Sequence, residues 1–256
     1  SDIVGRIYNV LAVPGVSDIR DFAGGEVKVF GMNVEHDSWL AGKCLGDLVR
    51  AGPPQNTMVA FQWAMEQGVR YLETDVHATR DGRVVTFHDD RLEQLTDGHG
   101  RVWEHDWEEV RSPDAAYHFG PGHNYPLRGT GVRIPLLEEV LDAFPDCLLN
   151  LDLKQAGIEE VLAVELARLG AEDRVLVGSF HDGRLTRFRR ASGGRVATSA
   201  GPREVLAALG ACRLGRHLGG AADAYQVPER SGPLRVVGKR FVEAVHRAGK
   251  QVHVWV

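Results

Sequence analysis

Two acidic residues in the segment LETDV, Glu73 and Asp75, are separated by a single residue. On a β-strand such residues project from the same face, so their oxygens can converge on one hard cation such as Mg²⁺ or Ca²⁺. Asp152, in LDLK, could supply a third oxygen from a neighbouring strand. The alternative interpretation is that Glu73 and Asp75 only form ion pairs with Arg70 or Lys154.

Other polar and aromatic residues follow short apolar runs that read as strands. His88 ends RVVTFH, where a histidine can give a proton to a leaving alkoxide, although most of the 11 histidines must be bystanders. Lys154 shares a strand face with Asp152 and could contact a phosphate oxygen or form a structural salt bridge. Gln226 lies in AYQVP, and Trp255 in VHVWV either floors a ligand pocket or packs in the core.

Helices and strands alternate along the sequence and must position these residues. Residues 57–67 have the helical spacing of apolar side chains, and VRYLETDV follows as a strand. The link ATRDG, with Asp81-Gly82 as a tight-turn signal, predicts a hairpin to RVVTFH. Later helix-strand units, beginning with IPLLEEVLDAF and CLLNLDLK, predict an α/β fold with a parallel sheet or barrel, whose strands carry functional residues at their carboxyl ends.

Composition narrows the class of protein. The 256 residues are 43% hydrophobic, which is enough for one core and predicts a single domain. A net charge of −5 with scattered Lys and Arg residues argues against a nucleic-acid or anionic-membrane partner. Three cysteines predict a reducing compartment, and without a long apolar stretch we expect no stable membrane insertion. The interpretation is a cytoplasmic protein, although a leader removed before residue 1 leaves no trace.

From Pro54 to Val256 the chain resembles the glycerophosphodiester phosphodiesterase family. The resemblance is carried by PQNT, LETDV, ATRDG, TFHDD, LNLDLK, VGSF, QVP and VHVWV in that order, against the family's P-E-N-T, E-x-D-V, T-x-D-G, H-D, E-x-K and V-x-V-W-T. It implies a TIM barrel of the (β/α)8 type. It also implies metal-dependent hydrolysis of glycerophosphodiesters, which are deacylated phospholipids, to glycerol phosphate and an alcohol.

The resemblance also implies roles for individual residues. One divalent cation, Mg²⁺ or Ca²⁺, has as its ligands Glu73, Asp75 and Asp152, the last standing where the family often has glutamate. His88 is one of a catalytic histidine pair, Lys154 contacts the phosphate, and Trp255 and Gln226 bind the substrate. Residues 101–131 occupy the place of a variable, lid-like insertion.

Both ends of the sequence depart from the family pattern. The expected H-R-G motif is not recognisable in AGKCLGDLVRAGPPQNT, where Cys44 and Leu45 fall in the places of histidine and arginine. Gln55 replaces the usual glutamate, and His36 lies too far upstream for an ordinary alignment. The family's last strand, with G-I-x-T-D, would follow Trp255. We therefore expect a barrel that is incomplete at both ends, or one whose gap is filled from the unmatched segment 1–50, for example by GEVKVFGMNV.

The sequence is compatible with three functions. The first is the metal-dependent phosphodiesterase that the resemblance implies, acting on a small-molecule substrate. The second is a catalytically impaired barrel that binds metal or phosphodiester without turnover, because the H-R-G motif is not found. A sugar-phosphate isomerase or aldolase on the same barrel is a weaker third, since a fold alone does not fix a function. The oligomeric state and the alcohol of the substrate are not indicated by the sequence.

Overall fold

The computed structural model describes residues 16–22, 27–32, 53–120 and 124–255. The α-helices in this part of the chain are Met58–Glu66 (α1), Trp107–Val110 (α2), Leu137–Ala143 (α3), Glu159–Arg168 (α4), Asp182–Ala191 (α5), Pro202–Arg213 (α6) and Lys239–Arg247 (α7). Short 3-10 helices span Leu92–Gln94 and Val102–Glu104. No helix within the described ranges has the length and apolar character that crossing a bilayer requires.

The strands alternate with these helices along most of the chain. They are Val16–Phe22 (β1), Val27–Met32 (β2), Tyr71–Ala78 (β3), Val84–Thr86 (β4), Leu148–Leu153 (β5), Val175–Gly178 (β6), Ala197–Thr198 (β7), Ala224–Pro228 (β8), Arg230–Ser231 (β9), Leu234–Arg235 (β10) and Gln251–Trp255 (β11). The predicted helix-strand alternation is confirmed.

The chain divides into two compact units. One contains the described residues 53–120, 124–176 and 187–196 and is called the carboxylate unit, because Glu73, Asp75 and Asp152 belong to it. The other contains the described residues 16–22, 27–32, 177–186 and 197–255 and is called the C-terminal unit.

In the carboxylate unit, β3 lies between β4 and β5 in the sheet. The other edge of β5 pairs with β6, of which the first two residues belong to this unit. β3 is antiparallel to β4 and parallel to β5. The turn between β3 and β4 is closed by a hydrogen bond from Gly82 N to Thr79 O of 3.0 Å, and Gly82 has a φ of +81°, which glycine adopts without steric cost. The predicted hairpin is confirmed.

Side-chain alternation on β5 separates the core from the polar face. Leu149, Leu151 and Leu153 are buried at 1% exposure or less. Since successive residues on a strand point to opposite faces, Asn150 and Asp152 project away from this apolar face. On the neighbouring strand β3, the same alternation places Glu73 and Asp75 on one face of the strand.

The first helix begins with a capped turn. Thr57 Oγ1 accepts a hydrogen bond from the backbone N of Ala60 at 3.3 Å and donates one to Pro54 O at 2.6 Å. Such an N-cap stabilises a helix by about 1 kcal/mol. The cap fixes the chain directly after Asn56, whose side chain points to the carboxylates described below.

Part of the predicted lid-like insertion is packed against the body of the carboxylate unit. Val102 and Val110 are fully buried and share a hydrophobic cluster with Val85 and Phe87. A lid function for residues 101–131 remains a prediction.

In the C-terminal unit, β8 and β11 are parallel, with Gln226 opposite His253. Tyr225 from β8 packs edge-on against Phe241 of α7, with ring centroids 5.7 Å apart, inside an apolar cluster. The helix α7 therefore covers the strand that carries Gln226.

β1 and β2 form an antiparallel pair in which Phe22 lies opposite Val27. Among the described strands these two pair only with each other, so the described part of GEVKVFGMNV does not join another sheet. His36, Cys44 and Leu45 lie outside the described residues, and the expectations about them stay untested.

Candidate active site

Acidic residues of two adjacent parallel strands meet on one face of the sheet. Asp75 on β3 and Asp152 on β5 are direct partners in the strand register, and Glu73 lies opposite Asn150. Glu73 and Asp75 share a strand face because they are two residues apart. The predicted proximity of these carboxylates thus follows from the register of β3 and β5.

Lys154 joins two of these carboxylates. Its Nζ lies 3.0 Å from Asp75 Oδ1 and 3.0 Å from Asp152 Oδ2. Burial disfavours the charged amine, but hydrogen bonds and charges from Asp152 and Asp75 outweigh it and raise the pKa of Lys154 above its usual value. Lys154 is therefore a fixed positive charge, and the ion pair that the sequence left as an alternative is formed.

Glu73 experiences the negative charge of its neighbours. Partial burial, followed by the charges of Asp75 and Asp152, raises the pKa of Glu73 to about 7, while Lys154 and His88 act in the opposite direction. The carboxyl remains open to solvent on one side. Three carboxylates facing one ammonium group leave an excess of negative charge, which a cation or a proton would offset.

Asn56 holds Asp75 from the side opposite Lys154. Its Nδ2 donates to Asp75 Oδ2 at 3.0 Å, and its Oδ1 accepts from Thr74 Oγ1 at 2.8 Å. Thr86 Oγ1 donates to the backbone O of Asn56 at 3.0 Å. The orientation of the Asp75 carboxylate is therefore fixed at both oxygens, one by Asn56 and one by Lys154.

His88 stands beside the carboxylates and has its own acidic partner. Its Nδ1 lies 3.0 Å from Asp89 Oδ1, and its side chain is about half exposed. With Nδ1–H donating to Asp89, Nε2 is the ring nitrogen available for proton transfer. The backbone N of Phe87 donates to Asp75 O at 3.0 Å, which ties this histidine segment to β3.

His77 contacts the backbone of His88 from the interior of the protein. It is fully buried, and its Nε2 lies 3.5 Å from the backbone O of His88. Burial lowers the pKa of His77, so the ring is neutral near pH 7. Trp103 of the insertion stacks on the ring with centroids 6.0 Å apart.

The donor set suits a hard divalent cation. In the described part of the chain, no group of three or more His, Cys, Asp or Glu side chains is already arranged around a metal position. Asn150 Oδ1, however, is a buried acceptor with no hydrogen-bond partner, and Asn150 pairs in register with Glu73. Carboxylate and amide oxygens are the donors that Mg²⁺ and Ca²⁺ take, so the residues present fit such an ion.

Residues 49–256 match the Glycerophosphoryl diester phosphodiesterase family. The chain belongs to this family. The resemblance seen from Pro54 to Val256 is thereby confirmed, and so is the enzyme class that it implied.

Two proteins that are similar to this chain in sequence carry the name glycerophosphodiester phosphodiesterase. Probable glycerophosphodiester phosphodiesterase 2 of Mycobacterium tuberculosis is 40% identical over 211 residues, which cover 79% of this chain and 74% of that protein. A glycerophosphodiester phosphodiesterase of Bacillus altitudinis is 39% identical over 145 residues, which cover 54% of this chain and 57% of that protein. The chain thus spans little more than half the length of the second relative.

Solved structures of the family share the fold. A glycerophosphoryl diester phosphodiesterase domain from Mycobacterium tuberculosis superposes with a TM-score of 0.67 at 23% identity, covering 80% of this chain and 83% of that one. An Oleispira antarctica phosphodiesterase, solved with the product sn-glycerol-3-phosphate, gives a TM-score of 0.59 at 23% identity and covers 80% of this chain and 79% of that one. The predicted α/β barrel class is confirmed by these neighbours.

The two substrate-binding residues implied by the family resemblance belong to the C-terminal unit. Gln226 is on β8, and Trp255, at the end of β11, is 46% exposed. Trp255 packs edge-on against the exposed Phe180, with centroids 6.1 Å apart. The ring is therefore a surface aromatic and not a core residue, and its role in substrate binding stays a prediction.

Sequence reasoning assigned no role to His77, Asn150 or Asn56. The first two could have been found from strand alternation, since His77 shares a face with Asp75 and Asn150 shares one with Asp152. Asn56 was part of the PQNT motif, but the sequence does not show that its amide reaches a residue 19 positions away.

Proposed function

We propose that this chain is a metal-dependent phosphodiesterase that hydrolyses glycerophosphodiesters to glycerol phosphate and an alcohol. The observation that carries the proposal is the pairing of Lys154 with both Asp75 and Asp152 at 3.0 Å, beside a third carboxylate, Glu73. Such a cluster supplies cation ligands and a phosphate-binding charge side by side.

Each residue then has a distinct task. Lys154, whose positive charge its neighbours stabilise, would bind a non-bridging phosphate oxygen. His88, oriented by Asp89, would give the proton on Nε2 to the leaving oxygen as its bond to phosphorus breaks. A water oxygen forms the new bond to phosphorus and the proton that this water loses returns to Nε2 of His88, so the products are glycerol phosphate and the alcohol.

A divalent cation, Mg²⁺ or Ca²⁺, would be held by Glu73, Asp75 and Asp152, and when bound it would offset negative charge on the phosphate. Asn56 would keep Asp75 in a fixed orientation toward that ion. Gln226 and Trp255 would bind the non-phosphate part of the substrate.

The second candidate is a barrel that binds metal or phosphodiester without turnover. The observation favouring it is in the sequence, where Cys44 and Leu45 stand in the places of the family's first histidine and arginine. A protein with only His88 as its proton-transfer residue would retain the cluster and lose most of the rate.

Hydrolysis of glycerophosphocholine, followed with and without a chelator, separates the two functions. Turnover that the chelator abolishes and that Mg²⁺ or Ca²⁺ restores supports the phosphodiesterase. Cation binding by calorimetry with no turnover over many hours supports the binder. A matched pair of variants, Asp152→Asn in the cluster and Asp173→Asn outside it, tests whether the cation binds at these carboxylates.

We also propose that the partner is a small-molecule phosphodiester and that the protein acts in the cytoplasm. Cys147 and Cys212 are free thiols, which is usual in a reducing compartment. Fractionation of cells that produce the protein, with a periplasmic or secreted marker as reference, tests the location.

A further inference from the structure

A cavity of about 480 Å³ is formed by residues of helices α6 and α7 and by the loop that follows α6. Its lining carries four arginines, Arg213, Arg216, Arg240 and Arg247, together with His217, and it includes no acidic residue. None of these residues belongs to the carboxylate cluster. The size is that of pockets that hold small-molecule ligands.

The positive charge in this cavity is largely uncompensated. The side chains of Arg213, Arg216 and Arg240 form neither a hydrogen bond nor an ion pair with any residue in the described ranges. Arg247 reaches Glu243 only at 4.0 Å, along its own helix. The whole chain has a net charge of −5, so the local charge at these unpaired guanidinium groups has the opposite sign to that of the chain. Their mutual repulsion would be relieved by a bound anion.

The lining of the cavity also includes apolar groups. They are Leu218, which is buried at 7% exposure, Ala244 and Cys212. The four arginines of the lining are exposed, so that an anion can reach their guanidinium groups directly from solvent. Guanidinium groups bind phosphate oxygens in pairs of parallel hydrogen bonds, which a single halide ion cannot accept.

We propose that this cavity is a binding site for a phosphate-bearing anion, formed chiefly by Arg213, Arg216 and Arg240. Two sources supply this chemistry, a free small phosphate compound and the headgroup of an anionic phospholipid. Leu214, next to Arg213, is 69% exposed and would contact the acyl region in the second case. The same arginines recognise the phosphate in both cases.

Isothermal titration of inorganic pyrophosphate, in chelator and at fixed ionic strength, is the first test. We compare wild type with Arg216→Ala/Arg240→Ala and with Arg190→Ala, which removes an exposed arginine that does not line the cavity. We expect the double variant to weaken binding by at least tenfold and Arg190→Ala to change it by less than twofold. Circular dichroism and thermal melting establish that the variants remain folded. Binding of pyrophosphate by the double variant as tightly as by wild type overturns the proposal.

Vesicle cosedimentation identifies the source. Vesicles of phosphatidylcholine with 20% phosphatidic acid are compared with pure phosphatidylcholine vesicles for the same three proteins. Arginine-dependent binding to the acidic vesicles, in addition to pyrophosphate binding, supports a lipid headgroup. Arginine-dependent pyrophosphate binding with no vesicle binding supports a free phosphate compound. Equal behaviour of the double variant and wild type toward both probes excludes the site.

Discussion

Asn56 donates a hydrogen bond from Nδ2 to Asp75 Oδ2 at 3.0 Å, while Asp75 Oδ1 lies 3.0 Å from Lys154 Nζ. The Asn56 backbone has a φ of +57°, a left-handed conformation that asparagine adopts more readily than most residues. This backbone turns the amide toward β3 just before helix α1 begins. A residue outside the cluster thus holds the oxygen of Asp75 that Lys154 does not contact.

We predict that loss of the Asn56 amide weakens cation binding. Asn56→Gly keeps the left-handed backbone and removes the amide, so it isolates the hydrogen bond, whereas Asn56→Ala adds backbone strain. Residues that orient metal ligands typically contribute about 10- to 100-fold in metal affinity or activity. Calorimetric titration of Mg²⁺ or Ca²⁺ should show such a loss for both variants, with a lower melting temperature for Asn56→Ala than for Asn56→Gly. Wild-type affinity in Asn56→Gly would show that Asp75 is oriented without it.

The sequence indicated which residues face one another on the sheet, but not how each is held. Glu73, Asp75 and Asp152 were predictable because residues two apart share a strand face and parallel strands end together. The lysine bridge was one of two alternatives, since the choice between ion pair and phosphate contact depends on distances. The contact between Asn56 and Asp75 depends on a left-handed backbone angle and on how the chain before α1 meets β3, and neither has a sequence signature beyond the asparagine itself.

The raised pKa of Glu73 predicts a pH dependence of stability in cation-free protein. Its pKa is about 7 in the folded state against an ordinary 4.5, so the folded state retains a proton that the unfolded chain releases between these values. The free energy of unfolding should therefore fall as pH rises from about 4.5 to about 7. Glu73→Gln should lose this component and exceed wild type in stability at pH 8 but not at pH 4. Urea denaturation in chelator at several pH values measures it.

Saturating Mg²⁺ or Ca²⁺ should reverse that order, since an ion bound only by the folded state stabilises it by mass action. Wild type at pH 8 should then be more stable than Glu73→Gln. The same stability gain in the variant as in wild type would place the cation away from Glu73.

Removing the bridging ammonium should separate phosphate binding from cation binding. In Lys154→Met, Asp75 and Asp152 lose their shared positive partner, so we expect lower stability without a cation and unchanged or tighter cation affinity. Turnover of glycerophosphocholine should fall, because the phosphate loses its positive partner. Arg195→Met, which breaks the exposed pair of Arg195 with Glu172, is the matched control and should change turnover little. Weakened cation binding in Lys154→Met would mean that the lysine organises the ligands.

His88 should carry the proton transfer to the leaving oxygen. Loss of a general acid typically lowers the rate by about 10² to 10⁴, so His88→Ala should lose turnover of glycerophosphocholine to that extent, with cation affinity nearly unchanged. Asp89→Asn should cause a smaller loss, because the amide can still hold the ring at Nδ1 but stabilises the charged imidazolium less.

The matched control for His88 is His99→Ala, which removes an exposed histidine from the loop after Leu92–Gln94. It should hydrolyse the substrate at the wild-type rate. A substrate with a nitrophenol leaving group sharpens the test, since a good leaving group needs no proton and should restore much of the rate to His88→Ala but not to a cation-ligand variant such as Asp152→Asn. Equal losses of His88→Ala on the nitrophenyl and the choline substrates would assign His88 to positioning of the phosphate instead of to proton donation.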